Sequence, residues 1–460
     1  MTEPCASTSR QGKLQSGSVG LIQLIGQCFS IGPLIDIALF LAIVASVAGA
    51  TGPLAVLLAA LGMVAFSLVV AFYASETGGA GAMGDYVGRA WGRKAGVAAL
   101  GIYVLSLIFS GAGGFIIAVG ELISRFASRD FGLELPWWAG ALAVCVSAWW
   151  INIRGAAMAT RVQFLIVGVS VIPFLITASA AVWQAGEANT WAVFSWDNPH
   201  GGDLFAALLF SILLFGGFET AGALAEESSN PRRNIPIALV GTVVMTAFLL
   251  ILCSYAGTIY YGPEHSAKSW GDAIDGYAVM ADNLVGPWAA RWIQFAVLVD
   301  FTATTIGFTV AASRGIYALA REGWLPTRLA EVNGNGAPKQ AASFVLGCAL
   351  LAIGAGLWVP PDKRYDTLFI AATAQAVLLV LVYTALAIGA VRLMLLTPRA
   401  QPLWRWIVFP VAALAPGLAL YGTFVPFPGY PERIGLFAAL AALIAVAIWL
   451  ISLNNDDTSR

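Results

Sequence analysis

Three acidic residues, Asp36, Glu219 and Asp300, lie inside long apolar stretches of the sequence. An ionisable group at membrane depth costs about 2.5 to 3.5 kcal/mol on insertion scales, so each marks a functional site unless a partner explains it. Asp36 and Asp300 suit contact with a substrate ammonium or with a transported proton, since a carboxylate accepts either. The alternative pairs each with a helix N-terminus, a hydroxyl or a basic neighbour. Glu219 follows two glycines, where unwound backbone leaves amides in need of acceptors, and it suits a structural or gating role. The stretches around these carboxylates are themselves interrupted. In Ser30-Ile31-Gly32-Pro33, Pro33 has no N–H and disfavours helical geometry at Gly32. A second interruption is Phe215-Gly216-Gly217-Phe218. Irregular backbone at membrane depth is tolerated only where it is buried in protein or lines a watery cavity. These eight residues and Asp36 are therefore the candidate substrate-binding set, with the Phe215 and Phe218 rings placed to cover a substrate during occlusion. Helix packing is the alternative for the glycines, which are common in membrane helices.

The elements that must position these residues are apolar runs of about 20 residues, each long enough to cross the hydrocarbon core as a helix. Twelve are read, over 20–50, 53–75, 96–124, 136–153, 160–184, 204–226, 236–261, 286–319, 341–359, 367–394, 404–425 and 433–453. None alternates as a barrel strand would, so the expected fold is an all-α polytopic membrane protein with twelve transmembrane helices. Composition agrees: of 460 residues 59% are hydrophobic and 11% charged, against about 25% charged in soluble proteins. Mean hydropathy is +0.81. A net charge of −1 with scattered basic residues excludes a nucleic-acid partner, and two histidines, His200 and His265, leave no histidine metal site. Of five cysteines, Cys28, Cys145, Cys253 and Cys348 fall inside apolar runs and Cys5 in the polar N-terminal stretch, which is no disulfide framework. The first 18 residues are polar and lead into a full-length span, so no removable signal peptide is expected.

Orientation follows from Lys and Arg. With both termini cytoplasmic, about 17 of the 24 basic residues fall on the cytoplasmic side, Arg154, Arg233, Arg314, Arg321 and Arg399 among them. The connection from Glu187 to Asp203 carries no Lys or Arg, and its Trp191 and Trp196 suit an interface belt. Residues 79–94 and 318–332 mix apolar and charged positions as short interfacial helices do. The two interruptions fall in the first span of each of two sets of five, the placement expected of an inverted repeat with its site at the midplane.

Three motifs in order carry a family resemblance. They are SETGGAGAMGDYVGRAWG over Ser75–Gly92, FGGFETAGALAEESSNPRRNIPIA over Phe215–Ala238, and ASRGIYALAREGWLP over Ala312–Pro326. Over nearly its whole length the chain resembles the amino acid-polyamine-organocation superfamily of permeases. The resemblance implies a leucine-transporter-like fold of two inverted five-helix repeats, 19–184 and 204–396, joined by an external loop 185–203. Peripheral helices would occupy 397–453, with cytoplasmic tails 1–18 and 454–460. It further implies a multi-pass protein of the cell membrane whose partners are the bilayer and an amino acid or amine substrate, moved by alternating access. Many members carry Gly-Ser-Gly or Gly-Thr-Gly in the first interruption, whose amides hold the substrate carboxylate. Here one glycine is replaced by Pro33, which has no amide proton. Some proton-coupled members carry a lysine in the fifth helix where this chain has Ser170. Ser170 could instead join backbone carbonyls of the first helix and Thr304 or Thr305 around sodium, while hydroxyls in membrane helices commonly bond backbone carbonyls. No cofactor is expected beyond a transported H+ or Na+; Asp300, Glu219, Ser170, Thr304 and Thr305 are the candidate coupling residues, and oligomeric state stays open. The rival classes are an intramembrane enzyme and a sensor on a transporter scaffold. The first lacks a Ser-His or Cys-His pair, a His-Glu-x-x-His motif and a phosphate-binding loop. The second would need a signalling domain that these short tails do not supply.

Overall fold

The computed structural model describes residues 14–76, 82–271, 273, 275–396, 402–425 and 427–457. Residues 77–81 of the first motif, Cys5 and residues 1–13 of the N-terminal tail, Arg399 and residues 458–460 lie outside them. Among the described residues eleven helices are long and apolar enough to cross a membrane, and one further apolar helix is 17 residues long. In chain order they are α1 (Leu21–Ala48), α2 (Gly52–Glu76), α3 (Arg93–Phe131), α4 (Trp137–Ile153, the 17-residue helix), α5 (Ala156–Ala185) and α6 (Leu204–Glu227). There follow α7 (Pro231–Tyr261), α8 (Pro287–Arg321), α9 (Lys339–Gly356), α10 (Asp366–Leu396), α11 (Leu403–Phe424) and α12 (Glu432–Ser452). The protein is a multi-pass helical membrane protein.

These helices sort by burial into an inner and an outer set. The apolar stretch of α8 is 78% buried within the protein and that of α3 is 72%, whereas α11 and α12 are each 28% buried. Thus α8, packed against α3, α4, α5 and α9, is an axis of the bundle, and α11 and α12 lean on it from outside through α2 and α10. Leu414 and Ile444, each 60% exposed, belong to apolar faces that the rest of the bundle leaves uncovered.

Several helices run past the apolar stretch that announces them. α7 begins at Pro231 rather than near 236, because proline is preorganised for the first helical position and its missing N–H is not needed there. α3 continues to Phe131, with its regular hydrogen bonding interrupted at Ser110–Gly114 by a π turn that shifts the register. Of the two expected interfacial helices, Ala82–Trp91 forms, with Tyr86, Val87 and Ala90 buried and Trp91 exposed. The second stretch is the end of α8 followed by one 3-10 turn, Thr327–Ala330.

Both ends of the bundle are tied. At the end rich in basic residues, Val19 N–H donates to the Glu227 carbonyl at 3.0 Å and Ser229 N–H to the Val19 carbonyl at 3.0 Å, joining the stretch before α1 to the loop after α6. At the other end, Gly202 N–H donates to the Ala48 carbonyl at 2.7 Å and Asp203 N–H to the Val47 carbonyl at 2.9 Å. Trp191 and Trp196, both in this connection, are 82% and 72% exposed.

Candidate functional site

Both interruptions predicted from glycine and proline are real breaks in the helices. α1 is helical over Leu21–Phe29 and resumes at Pro33, with Gly32 between at φ +90°. α6 is helical over Leu204–Leu213 and resumes at Phe218 as a tighter 3-10 helix to Glu227, with Gly217 at φ +103°. Residues with a Cβ rarely adopt that left-handed region, so the two glycines make the breaks affordable. The breaks pack together. Ile31 wedges between α6 and α8: a Cβ on Gly217 would lie 2.4 Å from Ile31 Cγ2, and one on Gly307 would lie 2.8 Å from Ile31 Cγ1. Across the same joint the Cys28 thiol donates to the Phe218 carbonyl at 2.7 Å.

α8 lies antiparallel along α1 and meets it in register at three levels. Gln27 Nε2 donates to the Gly307 carbonyl at 3.1 Å. One turn along α8, Thr304 Oγ1 accepts from Gly32 N–H at 3.1 Å and donates to the Ser30 carbonyl at 3.3 Å. One turn further, Asp300 Oδ2 accepts from Ile35 N–H at 3.1 Å. Asp300 is fully buried, and its Oδ1 has no hydrogen-bond partner. Asp36 lies over the break, its Oδ2 3.5 Å from where a Cβ on Gly32 would sit. Asp300 thus caps the resumed half of α1 through its first-turn amides, where a carboxylate is favoured by unpaired N–H groups and by the helix dipole.

Glu219 caps the other break. Its Oε2 accepts from Gly217 N–H at 3.0 Å and from the Tyr383 hydroxyl of α10 at 2.5 Å, and Tyr103 of α3 stands beside the same carboxylate. Phe218 is buried between Phe66 and Tyr383, with ring centroids 6.1 Å from each. Phe215 is buried on the far side and, with Cys28, Ile31, Gly216, Phe218 and Thr242, lines a small cavity.

The candidate coupling hydroxyls diverge. Thr304 faces α1, whereas Thr305 lines a separate cavity with Gly111, Cys145 and Trp149, since one residue turns a helix by about 100°. Ser170 is buried on α5; about two turns away, Gln163 Nε2 donates from α5 to the Ala303 carbonyl of α8 at 3.2 Å. Gln27, Gln163, Tyr103 and Tyr383 were therefore missed by sequence reasoning. For the two glutamines an amide inside an apolar run was the available signal; a lone tyrosine gives none.

A second polar centre lies at the basic end. Arg314, fully buried, donates Nε–H to Glu227 Oε1 at 2.9 Å and Nη1–H to Ser313 Oγ at 3.1 Å and to Asn152 Oδ1, so that α4, α6 and α8 converge on one guanidinium. At the last residues of α6 and α8, Arg321 grips Glu226 with two bonds of 2.7 Å, and Arg93, the first residue of α3, approaches Glu322 at 3.8 Å. Asp85 of the Ala82–Trp91 helix faces this group. Burial, then the charges of Glu322 and Glu226 working against Arg321, push its carboxyl up to about 6.

Two adjacent helices opened at depth, with buried carboxylates at both openings and a closed polar network at one end, are the parts of a membrane carrier. The Amino acid permease family matches residues 22–452, nearly the whole chain. The chain belongs to that family, within the amino acid-polyamine-organocation superfamily, and is a transporter rather than an enzyme. It is similar to the branched-chain amino acid permease of Lactococcus lactis, 23% identical over 381 residues that cover 79% of this chain and 77% of that one. The gamma-aminobutyric acid permease of Escherichia coli is 23% identical over 396 residues, 83% of this chain and 80% of that protein. The putrescine transporter of Haemophilus influenzae is 25% identical over 265 residues, 56% of this chain and 58% of that protein.

Proposed function

We propose that the protein is a secondary active transporter that moves amino acids or related amines across the cell membrane by alternating access. In this reading residues 19–184 and 204–396 are the two inverted repeats of a leucine-transporter-like fold, α11 and α12 are peripheral, and both termini are cytoplasmic. Substrate sits at the apposed breaks, where Gly32 and Gly217 both adopt left-handed backbone and Ile31 fills the space between them. That apposition is the observation that carries the reading, because irregular backbone at membrane depth needs a buried, polar function to be retained. Permeases for branched-chain amino acids and gamma-aminobutyrate and a transporter for putrescine among the relatives support the substrate range.

For coupling, a proton-coupled cycle or substrate exchange is favoured. Asp300 is buried with one oxygen unpaired, so it has a place for a proton. The sodium alternative joins Ser170 and Thr304 or Thr305 to backbone carbonyls of α1; Thr304 Oγ1 already bonds Gly32 N–H and the Ser30 carbonyl, and Thr305 lines another cavity.

Purified protein in liposomes tests the reading. A labelled panel of amino acids and amines should yield at least one solute accumulated under an inward proton gradient or exchanged against an internal pool. Failure of every member of both classes to accumulate or exchange would overturn it.

A further inference from the structure

We infer that the substrate is an alkylammonium cation that carries no α-carboxylate. The inference rests on the transporter reading and names the substrate class of the same site.

The first support is the fate of the backbone donors. An opened helix can hold a substrate carboxylate only through amides that are free. In α1, Ile31 N–H is bonded to the Cys28 carbonyl at 3.3 Å and Gly32 N–H to Thr304. Pro33 has no N–H. Ile35 N–H is held by Asp300, and the Leu34 amide lies against the same carboxylate. Asp36 N–H returns to the Gly32 carbonyl at 2.8 Å. In α6, Gly216 N–H is bonded to the Leu213 carbonyl at 3.2 Å and Gly217 N–H to Glu219. At both breaks a carboxylate from the protein already occupies the position that a substrate carboxylate would need. An incoming one would meet like charge, and none of these amides is free to receive it.

The second support is charge. Asp36, Glu219 and Asp300 surround the breaks, and none of the ion pairs among the described residues includes any of them. The buried cation of the bundle, Arg314, is committed to Glu227. Asp300 Oδ1 is wholly buried and has no partner, and Asp36 adjoins it closely enough for the two charges to repel. Buried charge persists when it is paired and hydrogen-bonded. An ammonium group, with three donors and no acceptor, supplies both to Asp300 and Asp36 at once. The cavity beside Ile31 offers a thiol and hydroxyls as its only side-chain polar groups, which suits an alkyl chain.

Matched pairs that differ only by the carboxylate provide the test, using the full-length protein in liposomes: leucine against isopentylamine, and ornithine against putrescine. In each pair the amine should be taken up with a KM lower by about tenfold or more, roughly the value of one good polar contact. Asp300→Asn should raise the amine KM by about tenfold, as should Asp36→Asn, which keeps the test open should one variant fail to insert. Asp300→Ala, which frees the Leu34 and Ile35 amides, should shift the leucine-to-isopentylamine ratio toward leucine. Uptake of the amino acid but not the amine by wild type would overturn the inference and leave the transporter reading standing. Transport of neither member of either pair, with other amino acids transported, would also overturn it. Transport of nothing at all would remove both.

Discussion

Two buried charge centres, about four turns apart along α8, are built on opposite principles. Around Arg314 every donor named finds an acceptor, on Glu227 of α6, Asn152 of α4 and Ser313 of α8 itself, and the carboxylate of Glu227 is met by two guanidinium nitrogens. At Asp300 one oxygen caps α1 and the other has no partner. A buried charge that is fully paired fastens helices together, while one that is half satisfied has capacity for a further ligand. The same helix thus carries a clasp at the basic end and an acceptor at depth, and breaking each should produce different defects.

The largest effect is expected at the clasp. Arg314→Ala leaves Glu227 buried without its cation, a loss of about 3–5 kcal/mol where one partner of a buried pair is removed. Melting in detergent should fall sharply, and Arg314→Lys should recover only part because one ammonium cannot reproduce the fork onto Glu227. A melting temperature within experimental error of wild type would show that the network is decorative. Gly217→Leu comes next. A side chain there is strained at φ +103° and strikes Ile31, so uptake should be abolished while membrane insertion is retained. Full uptake by well-expressed Gly217→Leu would take α6 out of the site.

At the acceptor, function should suffer more than stability. Asp300→Asn keeps an oxygen for Ile35 N–H but cannot take up a proton. Accumulation driven by a pH gradient should be lost, while exchange at saturating substrate, which needs no net proton movement, should persist. Gradient-driven accumulation unchanged in Asp300→Asn would remove Asp300 as the carrier. Tyr383→Phe deletes the 2.5 Å bond to Glu219. A hydrogen bond to a charged group is worth about 1.5–3 kcal/mol, so uptake should drop by about tenfold with little change in expression. Equal kinetics would detach Tyr383 from the gate.

This contrast also marks how far the sequence could be read. Gly32, Pro33 and Gly217 announce the breaks because glycine and proline act on their own backbone, whatever surrounds them. The twelve apolar runs are equally local, and their ends were misplaced where polar residues such as Pro231 to Asn234 prolong a helix. What a side chain faces is a property of two helices. Thr304 and Thr305 were equivalent by type, and only the α1–α8 register separates them. Gln163 donates from α5 to the Ala303 carbonyl of α8, a partner that the α5 segment alone does not name. Arg314 counted as one more basic residue for orientation; its pairing with Glu227, 87 positions away, left no pattern in either segment.

The smallest expected effect concerns the rim of the clasp, where Asp85 faces Glu322, Glu226 and Arg321, with Arg93 beside Glu322. Its carboxyl titrates near 6 in the folded protein against an ordinary value of 3.8. The folded state therefore holds this proton more tightly than the unfolded chain does, and the stability it contributes is fully present below about pH 4 and is lost as pH rises through about 6. Asp85→Asn fixes the neutral form. The variant should melt slightly higher than wild type at neutral pH, by a few degrees at most, and the difference should vanish as pH is lowered toward about 4. Because a tighter basic end opens less readily, its turnover at neutral pH should fall by about twofold or less. A destabilised Asp85→Asn at neutral pH would mean that Asp85 strengthens Arg321 rather than competing with Glu226 for it, and the acidic rim would then belong to the clasp that Arg314 forms below it.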